Sequence, residues 1–278
     1  MNVTADQGFE LRGGGSTSLR EMVRQLWNSR DLLRMLARKS FAVRYRRASA
    51  GMLWAVIMPL VQATMLAVIF TKIVPIPVEG RNRGVFIYAA VLPWSFFSST
   101  IGAAASAIVD GKDVSTRVYF PRAIFPLVVV RANLYGFLPG LIVLLAIALA
   151  VRVPLGVDLL LLVPGFVLLA LLSAGFALVL AAAHVYFRDV RHLVAAALIP
   201  WFYATGVFFP LSLAKGWLGT VLKANPMVGV VQLFRAATVG ADPGWAVALW
   251  WSVGWCIVLF VAAALLYRRF DRVFVDLM

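Results

Sequence analysis

Six long apolar stretches leave this chain few folds to choose from. They begin at Gly51, Val85, Ile124, Leu159, Leu193 and Trp245. A hydrocarbon core about 30 Å thick takes about 20 residues of helix at 1.5 Å per residue. Five of the stretches reach that length, and the fifth in order, Leu193 to Phe209, is short at seventeen residues. The chain is 62% hydrophobic and 14% charged, against about half and about a quarter in soluble domains. The predicted fold class is an all-α integral membrane protein with six transmembrane helices over residues 51–278. A flexible tail at 1–17 and a cytoplasmic amphipathic interface region at 18–50 precede them.

That interface region starts on Ser18, with Glu21 three residues on, the pattern of a capping box. Leu19, Met22, Val23, Leu26 and Trp27 follow at helical spacing, and Ser29 with Asp31 predicts a second start. Nine Lys or Arg against two acids between residues 19 and 47 suit a helix lying in the membrane interface. A soluble partner helix is the alternative. The tail has no apolar h-region, so insertion is expected to rely on the internal spans.

An even number of spans puts both termini on one side. Eighteen Lys or Arg then fall in the termini and the loops at 110–123 and 184–192, against seven on the other side. The excess places both termini in the cytoplasm. The net charge of +14 points to anionic lipid before nucleic acid. The segment from Leu213 to Gly244 lies outside, broken by Asn225-Pro226 into two pieces too short to span. They are predicted as short external re-entrant helices between spans five and six.

The chemistry that is missing is informative. All twelve acidic residues lie outside the spans or at their edges, whereas ion-coupled carriers place carboxylates at membrane depth. The chain has no phosphate-binding G-x-x-x-x-G-K-[ST] motif, so ATP-driven transport requires a separate ATPase chain. No acid pair has catalytic spacing, and His184, Asp189 and His192 fit no common zinc pattern. No catalytic residue and no metal are therefore expected. Asp189 between Arg188 and Arg191 suggests a local ion-pair cluster. Gly136 and Gly140 form G-x-x-x-G, which permits close helix contact within or between subunits. "PWFYATGVFFP" packs five rings between two prolines, either as an aromatic belt with core packing or as a rigid wall suited to sugar faces.

Four motifs carry a resemblance: "RYRRASAGMLWAVIMPLVQATMLAVIF", "VYFPRAIFPL", "YFRDVRHLVAAAL" and "NPMVGVVQLFR". From about Trp27 onward the chain resembles the membrane subunit of bacterial ABC transporters that export polysaccharide. These type-2 permeases move lipid-linked O-antigen, teichoic acid, galactan or capsule across the inner membrane. The resemblance implies two copies forming the pore and two copies of an ATPase chain, with ATP and Mg on that partner and no cofactor in this chain. It implies that external short helices cap the channel. ATPase coupling is expected at Arg117, Tyr119, Phe120, Pro121 and Arg122, and at Arg188, Asp189 and Arg191. The substrate path is expected along a basic rim of Arg44, Arg46, Arg47 and Arg131. Beyond the rim it follows Trp54, Trp201, Phe202, Tyr203, Phe208 and Phe209. The alternatives are a type-2 exporter of lipid or drug, or an uncoupled channel or scaffold.

Overall fold

A helix that is apolar on every face is buried in protein or in lipid, and the second stretch, rich in Ala and Phe, is the clearest case of the first. In the computed structural model it is the axis of the molecule. The structure describes residues 19–46, 48–78, 82–111 and 121–270, and they are helical with no strand among them. In chain order, α1 (Leu19–Asn28) and α2 (Arg30–Tyr45) lead to α3 (Trp54–Val68), α4 (Arg83–Ala104) and the short α5 (Ala107–Asp110). Then come α6 (Ile124–Ala150), α7 (Leu162–Tyr186), α8 (Val190–Ala204), α9 (Gly216–Ala224), α10 (Pro226–Ala236) and α11 (Trp245–Phe270). Residues Val85 to Trp94 of α4 are covered without a break. α3, α6, α7 and α10 pack around them, and α11 lies against α7 and α10.

Five segments are long and apolar enough to cross a membrane: Gly51–Ile73, Arg83–Ala104, Ile124–Ala150, Val157–Tyr186 and Trp245–Arg268. The predicted fifth span, from Leu193, differs. α8 starts three residues earlier than expected and stops at Ala204, after fifteen residues. Pro200 does not break it. The turn at Thr205-Gly206 does, with Gly206 at a φ of +66°, a conformation that favours glycine.

α1 and α2 are nearly continuous. The capping box includes Ser18, which lies outside the described residues. Ser29 was expected to cap α2, but its hydroxyl donates to the Gln25 carbonyl one turn back, at 2.9 Å, and makes no capping bond. Its backbone is close to helical (φ −91°, ψ 10°), so its oxygen faces the preceding turn. α2 is amphipathic as expected: Ala37 and Phe41 are buried, while Arg34, Arg38 and Lys39 are exposed.

Close helix contact explains the G-x-x-x-G pair. A Cβ on Gly136 would come 2.8 Å from Ala55 Cβ of α3, and one on Gly140 would come 2.6 Å from Leu92 of α4. Both glycines therefore serve contacts inside the chain. At one end of the bundle, α2, α5, the start of α6 and the ends of α7 and α11 share an apolar cluster built on Phe41, Ile108, Ile124, Val185 and Tyr267. α3 is the contrast to α4. It buries only Pro59 and Ala63 and leaves Met58, Val61 and Met65 exposed. It ends in a π turn, Ile69–Ile73, and Arg83 donates to the carbonyls of Phe70 within it and Ile76 just beyond it.

Candidate substrate groove and docking end

A groove of about 750 Å³ runs between α3, α4 and α6, closed at one end by α2. Arg44 stands at its rim. The guanidinium donates to Asn133 Oδ1 at 2.6 Å, and Asn133 Nδ2 donates on to Thr100 Oγ1 at 2.9 Å. Thr100 is fully buried and Asn133 nearly so. This chain of bonds holds an exposed arginine against the bundle wall and fixes the orientation of the Asn133 amide. Gln62 from α3 and Ser95 and Ser99 from α4 add polar groups along the walls, and Trp54 supplies an aromatic face. Isolated polar side chains on a lipid-facing surface would be costly, and here they converge on a single concavity. Such a groove can take up a phosphate at its rim and present hydroxyl and ring contacts beyond it.

The other expected path residues are not gathered there. Arg46 is exposed on the turn after α2, and Arg47 lies outside the described residues. Arg131 opens into a separate notch with Arg30 and Arg34. The rings of residues 201–209 divide between core and surface. Trp201 packs edge-on to Phe97 and Phe176, with centroids 5.2 and 5.4 Å away. Phe202 is buried beside Trp94. Tyr203 is 57% exposed. Phe208 stacks on Phe70 at the end of α3, at 4.5 Å and nearly parallel. The first and fifth stretches thus meet through one ring pair, while Trp201 and Phe202 hold the helix to the core.

Of the residues expected to couple to an ATPase, those described emerge at the end carrying α2 and α5. Arg188 and Asp189 are exposed between α7 and α8, and Arg191 is exposed in the first turn of α8. The expected ion-pair cluster does not form: no salt bridge links Asp189 to either arginine among the described residues. At an exposed turn, pairing gains little over hydration and costs side-chain entropy. Pro121 opens the turn into α6, its carbonyl accepting from Ile124 N–H at 3.0 Å, and Arg122 follows it half-buried. Arg117, Tyr119 and Phe120 lie outside the described residues. Among those described, no group of three His, Cys, Asp or Glu is placed to hold a metal.

The model of the ABC-2 type transporter family matches residues 31–239, from α2 to just beyond α10. The chain belongs to the ABC-2 type transporter family. This ABC-2 chain is 33% identical over 219 residues to an O-antigen export system permease protein, RfbA, of Myxococcus xanthus; the alignment covers 77% of this chain and 83% of the relative. A Klebsiella pneumoniae protein of the same name is 22% identical, covering 74% of this chain and 79% of the relative. The polysialic acid transport protein KpsM of Escherichia coli is 24% identical, covering 83% of this chain and 90% of that one. A multi-pass membrane permease is therefore the setting for every element described.

One part of this ABC-2 permease was missed from the sequence. Arg235, counted there as a loop charge, is fully buried. It donates to the carbonyls of Gly206 (2.9 Å) and Val207 (2.7 Å), just past α8. It also lies 3.6 Å from the centroid of the Phe86 ring and 3.9 Å from Asp242. Asp242 accepts from Leu211 N–H and from Gln232 Nε2, and its own N–H donates to Gln232 Oε1. The signal in the sequence is isolation. Asp242 is the only acid between Asp189 and Asp271, and Arg235 the only arginine between Arg191 and Arg268.

The Asn225-Pro226 break forms the tip between α9 and α10. Asn225 Oδ1 accepts from Met227 N–H, capping α10, and from Trp201 Nε1; its Nδ2 donates to the Ala204 carbonyl. Ser252 donates to the Pro226 carbonyl and Trp255 to that of Ala224. The tip therefore sits seven to ten residues along α11 from Trp245, about 10–15 Å at 1.5 Å per residue. Asn225→Ala is expected to cost about 1–3 kcal/mol, since it removes a cap and leaves the partly buried end of α8 without its donor. A thermal melt of the detergent-purified chain checks this, and an unchanged midpoint would deny Asn225 that role.

Proposed function

We propose that this chain is the transmembrane subunit of an ATP-driven exporter that moves a lipid-linked polysaccharide from the cytoplasmic to the external side of the bacterial inner membrane. Membership of the ABC-2 family over residues 31–239 carries this reading. The export names of its relatives support it. The physical demand is consistent: a diphosphate head and sugars cannot cross hydrocarbon unaided, because each buried charge or polar group costs several kcal/mol.

In this reading both termini are cytoplasmic, as the arginine and lysine distribution favours. α8 is the fifth of six spans, and the α9–α10 hairpin completes its crossing from the outside. The hairpin's position, 10–15 Å along α11 by helical rise, suits a re-entrant element. Arg44 receives the anionic head at the rim of the groove. Trp54, Gln62, Ser95 and Ser99 follow the sugars. A second copy of the chain covers the apolar faces that α3 leaves exposed, with Met58, Val61 and Met65 outermost. Two ATPase subunits, carrying ATP and Mg²⁺, dock on the end that bears α5 and the 187–190 turn. Arg188 and Arg191 face acids on that partner, and Tyr119 and Phe120 fill a groove in it.

The test uses the chain co-expressed with the proposed ATPase partner. Ser99→Trp fills the groove from an exposed position. It is expected to leave insertion and co-purification intact while surface polysaccharide falls about tenfold, the effect of about 1.4 kcal/mol on the limiting step. Tyr119→Ala with Phe120→Ala is expected to insert normally and lose the ATPase. A chain that purifies alone, and whose deletion leaves surface polysaccharide unchanged, would refute the proposal.

A further inference from the structure

A second concavity lies on the flank of the bundle, where the N-terminal half of α2 crosses α6. It measures about 410 Å³. Three guanidinium groups open into it: Arg30 and Arg34 from successive turns of α2, and Arg131 from α6. Leu26, Leu33 and Leu127 form its apolar floor, and Trp27 stands at the edge. Glu21 and Asp31 are the acids of α1 and α2, and neither contributes to the lining.

Three like charges gathered over a leucine floor repel one another, and proximity to apolar surface weakens their hydration. Arg131 Nε is buried without a hydrogen-bond partner, and a buried donor left unmade costs free energy. Arg30 lies 5.5 Å from the centroid of the Trp27 ring, and Trp27 is itself 67% exposed. An amphipathic helix with an exposed tryptophan and basic residues belongs at the level of lipid headgroups. Arg131 is seven residues beyond the start of α6, about 10 Å along the helix axis. It therefore reaches inward from the same level.

We propose that this notch holds the phosphate of a resident anionic phospholipid from the leaflet at the α1–α2 end. Arginine forks match phosphate oxygens, and the three leucines continue the surface along which an acyl chain lies. The lipid is resident rather than carried for two reasons. The notch is set apart from the groove, because Ala37 and Phe41 seat α2 on α6 between Arg34 and Arg44. Its lining also offers no hydroxyl or amide side chain to hold a sugar. The bound lipid pins α1 and α2 to α6. The assignment does not depend on what the groove transports.

Native mass spectrometry of the full chain, purified in detergent and titrated with dioleoyl phosphatidylglycerol, tests this. The wild-type chain is expected to retain that lipid in preference to dioleoyl phosphatidylcholine. Arg131→Gln, and separately Arg34→Gln on the exposed face of α2, are each expected to weaken retention by about five- to tenfold, the effect of about one lost interfacial charge contact. Arg38→Gln, on α2 but outside the notch, leaves it unchanged. Equal retention in wild type and both notch variants would overturn the proposal. So would displacement of phosphatidylglycerol by equimolar farnesyl diphosphate in a manner that requires Arg131, because the notch would then be a site for the head of a carried lipid.

Discussion

Arg235→Ala lowers the stability of the purified chain by about 3–5 kcal/mol, the cost of breaking a buried ion pair from one side. Several losses coincide. The Asp242 carboxylate stays fully buried and loses its only cationic neighbour within 4 Å among the described residues. The carbonyls of Gly206 and Val207 lose their donor. The Phe86 ring loses the cation that covers its face. The outcome is read as a fall in the thermal midpoint and as early proteolysis between α8 and α9. The double variant Arg235→Met with Asp242→Asn is expected to recover much of the loss, because no unpaired charge remains buried while the amide oxygen still accepts from Leu211. A single alanine variant that melts like the parent would show that the pair is dispensable.

Gly229→Leu is expected to lift α10 off α11 and abolish export. A Cβ at this position would meet the Ala248 carbonyl oxygen at 2.6 Å and Leu249 Cα at 2.8 Å. These are backbone atoms, which cannot rotate away. Even alanine should cost about 1–3 kcal/mol through overpacking, and leucine more. Gly254→Ala, on α11 with nothing within 4 Å, is the matched comparison. It should be neutral or stabilise by up to about 1 kcal/mol through helix propensity. Surface polysaccharide and melting temperature measured on all three variants separate a steric hairpin contact from a general intolerance of glycine replacement. If Gly229→Ala matches Gly254→Ala in both measurements, the close approach is not required.

The spans were legible because burial in lipid needs length and apolarity, and both are one-dimensional properties. The Asn225-Pro226 break was legible for a similar reason, since proline and its neighbour restrict the backbone locally. The extent of α8 was less so. Its aromatic run reads as continuous, and only the left-handed Gly206 reveals the stop. The groove was half visible. Arg44 and Trp54 were expected to share a path, but the part played by Ser95, Ser99 and Asn133 depends on which helices stand side by side. Arg131 and Arg44 read alike in sequence, as basic residues near the same membrane face. Their different surroundings follow from the crossing of α2 over α6. Arg235 and Asp242 were hidden by the assumption that charges between spans are solvated.

The contact between Asn225 and Ala204 has an electrostatic consequence. The carboxyl end of α8 carries about half a negative charge, and the amino end of α10 about half a positive one. Asn225 bridges them, its amide nitrogen on the former and its amide oxygen on the latter, while Arg235 adds a full cation one turn beyond α8. The two macrodipoles close on each other like the poles of adjoining magnets. The chain can therefore reverse direction here without a bare helix end, whose half charge would otherwise stand uncompensated in apolar surroundings.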